Sequence, residues 1–141
     1  MKKYKINRLT HENIHPYGWI IDSSCVKDNS RTSRFGILLK EKSHGWRIGY
    51  LIARDKEIIQ LECHDSLETF EPIKGRCMIA LALHKKPESP KAFLLDRPIV
   101  LKKGIWHNIL CISQKSEIKI FENVELTTEY HYLDEINRIK F

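Results

Sequence analysis

The stretch "LECHDSLETFEPIKG", residues 61–75, places acidic side chains and an imidazole between two apolar flanks and ends at a glycine. Side chains two apart in a strand share a face, so Glu62 and His64 would point the same way. A turn at "DSL", residues 65–67, would then return the chain with Glu68 close to that pair. The stretch predicts a carboxylate–imidazole–carboxylate cluster on one wall of a small β-barrel. A solvent-facing polar hairpin is the alternative.

The rest of the chain is dominated by short apolar runs, several of them alternating with period two, separated by turn-forming residues. A short helical turn over "HENI", capped by Thr10, is the N-terminal helix signal. The segment 127–137, "TTEYHYLDEIN", is compatible with a short helix or an extended tail. The pattern predicts one all-β domain over residues 1–141, a closed barrel or jelly roll, with strands near 17–22, 35–40, 46–53, 57–63, 76–83, 91–95, 98–101, 105–112 and 117–122.

Composition and charge narrow the class of protein. The chain has 141 residues with 42% hydrophobic residues and a net charge of +6, which is ordinary for a globular domain. The basic N-terminus is not followed by an apolar signal segment, and no run approaches the roughly 18 apolar residues of a membrane span, so a cytoplasmic location is expected. The lysines are scattered in twos and threes, which predicts neither nucleic-acid nor membrane binding.

The four cysteines do not form a CxxC pair. Three of them stand in apolar runs, so buried, reduced thiols are expected and a zinc finger is not. The cysteines are Cys25, Cys63, Cys77 and Cys111.

A second polar segment, "KKGIWHNILCI", covers residues 102–112. Gly104 permits a tight turn, and Trp106 and His107 then open an apolar strand. A single histidine beside a tryptophan is more often a hydrogen-bonded packing residue than a ligand.

Taken together, the two segments resemble the two motifs of the cupin superfamily. The spacing E-x-H-x3-E-x6-G, followed by G-x2-H, places His64, Glu68 and His107 on three of the four usual metal-ligand positions, with Glu62 in place of the first histidine. The resemblance implies a cupin-type jelly-roll barrel (double-stranded β-helix) with short terminal helices. It also implies a divalent metal such as zinc, manganese, iron or nickel, held by Glu62, His64, Glu68 and His107. A metal-free polar pocket is the other interpretation.

Within that superfamily the chain is similar to the ureidoglycolate lyases. Besides residues 61–75, the segments "HPYGWIID", "KAFLL" and "GIWHNIL" resemble theirs in the same order. The chain departs from that family at two arginine positions. Cys63 stands where the family has an arginine, and the segment "GYLIA" contains no arginine aligned with the second one.

The resemblance implies cleavage of ureidoglycolate, or a related 2-hydroxy-acid adduct, to glyoxylate and urea by acid/base or metal-assisted chemistry. It implies a homodimer and a small carboxylate-bearing ligand. The implied catalytic residues are His64, His107 and Glu68, the implied substrate-binding residues are Tyr50, Arg54, Lys91 and Trp106, and Arg47 is a further candidate to hold the substrate carboxylate. The alternatives are a non-catalytic domain that binds a small carboxylate or sugar derivative, and a cupin isomerase or epimerase.

Overall fold

The computed structural model describes residues 1–140, and its elements are almost all strands. Within residues 1–140, one short helix, α1, covers His11–Ile14, and a single 3-10 turn covers Ser23–Cys25. The strands are β1 Lys2–Tyr4, β2 Ile6–Asn7, β3 Gly18–Ile20, β4 Trp46–Ala53, β5 Glu57–His64, β6 Glu68–Lys74, β7 Cys77–Ala82, β8 Lys91–Leu94, β9 Ile99–Leu101, β10 Trp106–Cys111, β11 Ser116–Asn123 and β12 Thr128–Ile139.

The strands form two sheets that face each other. The first sheet has the order β1-β12-β5-β10-β7-β8-β2, and the second has the order β3-β9-β6-β11-β4. From β4 to β12 the chain changes sheet at every step except from β7 to β8. Such alternation winds the chain as a double-stranded β-helix. The fold is a cupin-type jelly roll, as expected from the sequence.

Two apolar clusters lie on opposite faces of the first sheet. The inner cluster, between the sheets, includes Ile79, Leu81 and Phe70, while the outer cluster includes Met78 and Ala80. Successive residues of β7 therefore point to opposite faces, and β10 alternates in the same way. All six residues of β7 are buried, so this strand is apolar throughout.

Gly75 and Gly104 occupy turns that need glycine. Their φ angles are +75° and +78°, in the left-handed region that disfavours residues with a Cβ. Gly75 follows the last residue of β6, and Gly104 precedes the strand that carries His107. The backbone N–H of Gly104 also donates to the carbonyl oxygen of His64 at 2.8 Å. This bond ties the two polar segments of the sequence together.

Three local predictions have clear outcomes. Thr10 caps α1 as predicted, through a reciprocal capping box with Asn13. The prediction of a strand over 35–40 is wrong, because that segment forms no strand ladder and exposes Phe35, Ile37 and Leu39. Residues 128–139 are a strand rather than a helix or tail, since β12 pairs with β5 on one side and β1 on the other.

The outer face of the second sheet carries exposed apolar side chains. Trp46, Ile48, Tyr50 and Ile52 alternate along one face of β4, and Phe121 stacks on Trp46 with ring centroids 5.0 Å apart. Among the residues that the structure describes, no helix is long and apolar enough to cross a membrane.

Candidate metal centre

Four polar side chains meet between the two sheets at one end of the barrel. Glu62 and His64 come from β5, His107 comes from the adjacent β10, and Glu68 opens β6 in the opposite sheet. The predicted juxtaposition of Glu62, His64 and Glu68 is present, but the prediction that one wall carries all three is wrong. The turn at 65–67 takes the chain across to the other sheet, so Glu68 faces the histidines.

The donor atoms form two overlapping groups, Glu62 with His64 and His107, and His64 with Glu68 and Glu122, each within 4.8 Å. His107 Nε2 lies 3.0 Å from Glu68 Oε1, and His64 Nε2 lies 3.5 Å from Glu68 Oε2. Glu62 Oε1 is 3.7 Å from both Nε2 atoms. The side chains of His64, Glu68 and His107 are only 6–8% exposed, whereas that of Glu62 is 42% exposed. Glu62 therefore lies at the open side of the cluster.

Each imidazole has its Nε2 in the cluster and is held in place by a contact of its Nδ1. His107 Nδ1 lies 3.0 Å from the carbonyl oxygen of Ile105, which only accepts, so Nδ1 carries the proton and Nε2 has a free lone pair in the neutral ring. His64 Nδ1 lies 3.0 Å from the Thr128 hydroxyl, on the strand residue paired with His64. A fixed Nδ1 that leaves Nε2 directed at a common point is typical of metal-ligating histidines.

A second acidic side chain, Glu122, extends the cluster. It is directly opposite Glu68 in the β6–β11 ladder, and its carboxylate accepts from Arg47 at 3.1 Å. Its other oxygen, Oε1, is buried without a hydrogen-bond partner. Glu68 Oε1 is likewise buried and accepts no hydrogen bond of good geometry, although His107 Nε2 is close to it. Neither oxygen accepts a hydrogen bond of good geometry from the described residues, and a proton held between the Glu68 and Glu122 carboxyl groups would supply one donor.

Charge coupling shifts the pKa values of these groups in opposite directions. The interaction with Glu62, followed by that with Glu68, raises the pKa of His64, and the same contact with His64 lowers the pKa of Glu62. Burial opposes ionisation of both His107 and Glu68, yet their mutual contact raises the pKa of His107 and lowers that of Glu68. Burial, reinforced by Glu68, raises the pKa of Glu122 to about 7.

The donor set fits a divalent cation. With both imidazoles neutral, the carboxylates of Glu62 and Glu68 carry two negative charges, which a divalent ion would balance. Two imidazole nitrogens with two carboxylates suit manganese, iron, nickel or zinc. The ion would also satisfy the buried Glu68 Oε1, which no protein donor satisfies well.

The predicted substrate-binding residues do not gather at this cluster. Tyr50 lies on the outer face of the second sheet and donates to Glu117 at 2.8 Å. Trp106 belongs to the outer apolar cluster of the first sheet, and its Nε1–H donates to the carbonyl oxygen of His84. Both side chains therefore point away from the barrel interior.

The candidate cations differ in position. Arg47, near the start of β4, reaches the cluster through Glu122, whereas Arg54 follows the other end of that strand, roughly 23 Å further along. Lys91 is exposed at the start of β8, and the buried Leu81 of β7 separates it from His107 in the sheet. Of the three, Arg47 is the cation beside the cluster.

A cavity of about 500 Å³ adjoins Glu122. The segment over residues 35–41 forms one wall with Phe35 and Leu39, while Trp46 and Phe121 form another. Since Trp46 and Phe121 belong to the outer face of the second sheet, the cavity lies outside the barrel and its walls are mainly apolar.

Glu122 and Thr128 are the site residues that sequence reasoning missed. The predicted strand over 117–122 gave a usable signal, because Ile118, Ile120 and Glu122 share one face by period-two alternation. Ile118 is fully buried, so a carboxylate on its face lies inside the barrel. Thr128 lay in a segment for which no pairing was predicted, and only that pairing places its hydroxyl beside His64.

No protein-family model matches this chain, and a search of curated proteins finds no match. Solved structures give distant likenesses. A cupin 2 domain-containing protein from Halorhodospira halophila is 12% identical, with a TM-score of 0.47 over 67% of this chain and 62% of that one. Vicilin from Corylus avellana (hazelnut) is 16% identical, with a TM-score of 0.49 over 83% of this chain and 36% of that one.

A third such structure is procruciferin, an 11S globulin from Brassica napus, at 7% identity and a TM-score of 0.49 over 60% of this chain and 22% of that one. The chain thus spans between 22% and 62% of the length of these solved proteins. At these TM-scores the likenesses add no functional argument, and the fold assignment rests on the strand order.

Proposed function

We propose that this small cupin-type domain holds a divalent metal ion through Glu62, His64, Glu68 and His107 and binds a small carboxylate-bearing molecule beside it. The observation that carries the proposal is that both Nε2 atoms lie within 3.0–3.7 Å of carboxylate oxygens of Glu62 and Glu68, with each Nδ1 already engaged. When bound, the metal would polarise a substrate oxygen and stabilise developing negative charge.

The finer proposal is a carbon–nitrogen lyase that acts on ureidoglycolate or a related 2-hydroxy-acid adduct. Such cleavage needs a group that takes the hydroxyl proton, a group that gives a proton to the leaving urea nitrogen, and a cation for the carboxylate. Glu122, with its pKa raised to about 7, is suited to hold and release a proton near neutral pH. Arg47, 3.1 Å from Glu122 and half exposed, is the candidate for the carboxylate.

Metal analysis tests the first proposal. Protein purified without chelators or a metal-binding tag is expected to bind manganese or iron, and the His64→Ala, His107→Ala double variant to lose that binding. The matched control is His15→Ala, since His15 is exposed and remote in sequence from the cluster segments. Unchanged manganese and iron binding in the double variant would contradict the assignment of these ligands.

Glyoxylate release from ureidoglycolate tests the lyase proposal. Arg47→Ala is expected to raise KM more than it lowers kcat, because it removes a carboxylate contact made before and during reaction. Undetectable glyoxylate with each added divalent metal would refute lyase activity while leaving the metal assignment standing.

The half-exposed guanidinium of Arg47 beside the cluster favours a second candidate function, binding of a small carboxylate without turnover. A thermal-shift screen with small carboxylates distinguishes the two, because a pure binder is stabilised without forming product. The cytoplasmic location and the homodimer that the resemblance implies remain predictions. Light scattering tests the dimer, which would show twice the chain mass of 16.7 kDa.

A further inference from the structure

We propose that Cys63, His84 and Glu129 form a second metal site, on the opposite face of β5 from the barrel cluster, with zinc as the preferred ion. The proposal is independent of the function proposed for the barrel. It rests on a thiol, an imidazole and a carboxylate that three separate parts of the chain bring together.

The donor atoms of the three residues lie close together, and the contact between Cys63 and His84 runs from the sulfur to Nδ1 at 3.9 Å. The Cys63 thiol donates to Glu129 Oε2 at 3.3 Å, and His84 Nε2 lies 3.7 Å from the same oxygen. One ligand atom from each of the three residues lies within 4.8 Å of the others. Zinc bonds of about 2.3 Å to sulfur and about 2.0 Å to nitrogen or oxygen separate tetrahedral ligands by roughly 3.3–3.6 Å. The thiol–carboxylate and imidazole–carboxylate separations are close to these values, and coordination would also require a side-chain adjustment that turns Nε2 of His84 toward the sulfur.

The pairing of β5 with β12 fixes the positions of two of the three proposed ligands, Cys63 and Glu129. Cys63 and Glu129 are directly paired in the β5–β12 ladder, so their side chains leave the same face of the sheet. Cys63 is 3% exposed, and its backbone is anchored by pairing on this side. The thiol thus has a defined position at the base of the site.

His84 is oriented as a ligand by its surroundings. Its Nδ1–H donates to the carbonyl oxygen of Gly104 at 3.0 Å, which leaves Nε2 as the nitrogen with a free lone pair. Its ring stacks on Trp106 with centroids 5.4 Å apart and planes 6° from parallel. A histidine whose other nitrogen is bound to a backbone carbonyl matches the usual support of a zinc-ligating imidazole.

The site opens onto solvent. Cys63, His84 and Glu129 line a cavity of about 400 Å³, and the side chains of His84 and Glu129 are more than half exposed. Three protein ligands with access for water give the arrangement of an open zinc site, in which a water or an incoming ligand takes the fourth position. Sulfur among the ligands favours zinc over manganese or magnesium.

Cobalt(II) substitution tests the site, because only thiolate ligation gives a near-ultraviolet sulfur-to-cobalt charge-transfer band. The wild-type protein titrated with cobalt(II) is expected to show this band with the visible absorption of tetrahedral cobalt. Cys63→Ser should abolish the band, and zinc titration should fall by about one equivalent per chain. The His64→Ala, His107→Ala double variant should keep the band, which separates this site from the barrel cluster.

Further variants test whether unfolding, or the exposed thiol of Cys25, explains a change in the cobalt band. Glu129→Gln and His84→Asn alter exposed side chains, so both variants should fold, with weaker cobalt binding and a weaker or shifted band. Cys25→Ser should leave the band intact, although Cys25 is an exposed free thiol near His11 and Asp22. A wild-type protein without the band, a band that persists in Cys63→Ser, or a band lost in Cys25→Ser would each overturn the proposal.

Discussion

The Thr128 hydroxyl offers a sharp test of the barrel centre because it touches one ligand without being one. It lies 3.0 Å from His64 Nδ1 and holds the imidazole so that Nε2 faces Glu62 and Glu68. Thr128→Val keeps the shape and β-branching of the side chain but removes the hydrogen bond. We therefore expect the fold to persist and the metal affinity to fall.

The structure sets the size of the loss. Removing such a supporting hydrogen bond typically weakens metal binding by roughly 10-fold to 100-fold. Only one of the two imidazoles is affected, because His107 Nδ1 is bonded to the backbone carbonyl of Ile105. Thr128 is also only partly buried, so water can replace part of the bond. We expect the lower limit, about tenfold or 1.4 kcal/mol.

The assay is competition for manganese(II) or iron(II) with a chromophoric chelator at fixed pH, which gives Kd for wild type and each variant. Thr128→Ser is the matched control, since it retains the hydroxyl and should bind within a few-fold of wild type. Equal affinity of the valine variant and wild type would refute the supporting role of the hydroxyl. A serine variant as weak as the valine variant would show that packing, not the hydrogen bond, is responsible.

Three further predictions follow from the same cluster and from the turns beside it. Folding raises the pKa of Glu122 from 4.5 to about 7, so the folded state binds the extra proton and the stability of the fold falls as pH rises through this window. The metal-free Glu122→Gln variant avoids this loss. Urea unfolding should show it to be more stable than wild type by on the order of 2 kcal/mol at about pH 8 and equal to wild type below about pH 4. A smaller advantage at high pH than at low pH would contradict this reasoning. Gly104→Ala should lower the free energy of unfolding by about 1–2 kcal/mol, because of its left-handed φ alone. Gly75→Ala should lower it by about 3–5 kcal/mol, because its Cβ would also meet a backbone carbonyl oxygen at 2.3 Å. Equal urea midpoints for the two variants would be evidence against the clash. The pKa values of His64 and His107 are both raised, so a bound metal must displace protons from the imidazoles. The Kd for the metal should therefore fall as pH rises from about 6 to 8. A Kd that is independent of pH would exclude protonated imidazoles in the metal-free cluster.

The sequence was informative where local alternation coincides with burial. The strands β4, β5, β10 and β11 lie close to their predicted bounds, and in β11 the period-two pattern coincides with one face turned to the core. The shared face of Glu62 and His64 was also predictable, since strand geometry alone places residues two apart on one face.

Pairing partners are the information that the local pattern lacks. Residues 35–40 are apolar enough for a strand but have no ladder partner, while 128–139 contains helix-compatible acids yet pairs on both sides. Strand β6 is outside the predicted strands, although the sequence predicts that the chain returns after the turn at 65–67, and Pro72 lies within β6. The register shift opposite Glu117 and Ile118 accommodates that proline.

The alternation of β5 makes the chemistry of both faces depend on a single register. Glu62 and His64 point into the barrel and Cys63 points out of it, so a one-residue slip or insertion in β5 would send the oxygen- and nitrogen-rich set outward and the thiol inward. Neither donor set would then meet its partners on β10, β6 or β12. Bound metal would therefore act as a reporter of correct strand pairing during folding, and insertion scanning through residues 58–64 should abolish both binding activities at the same positions.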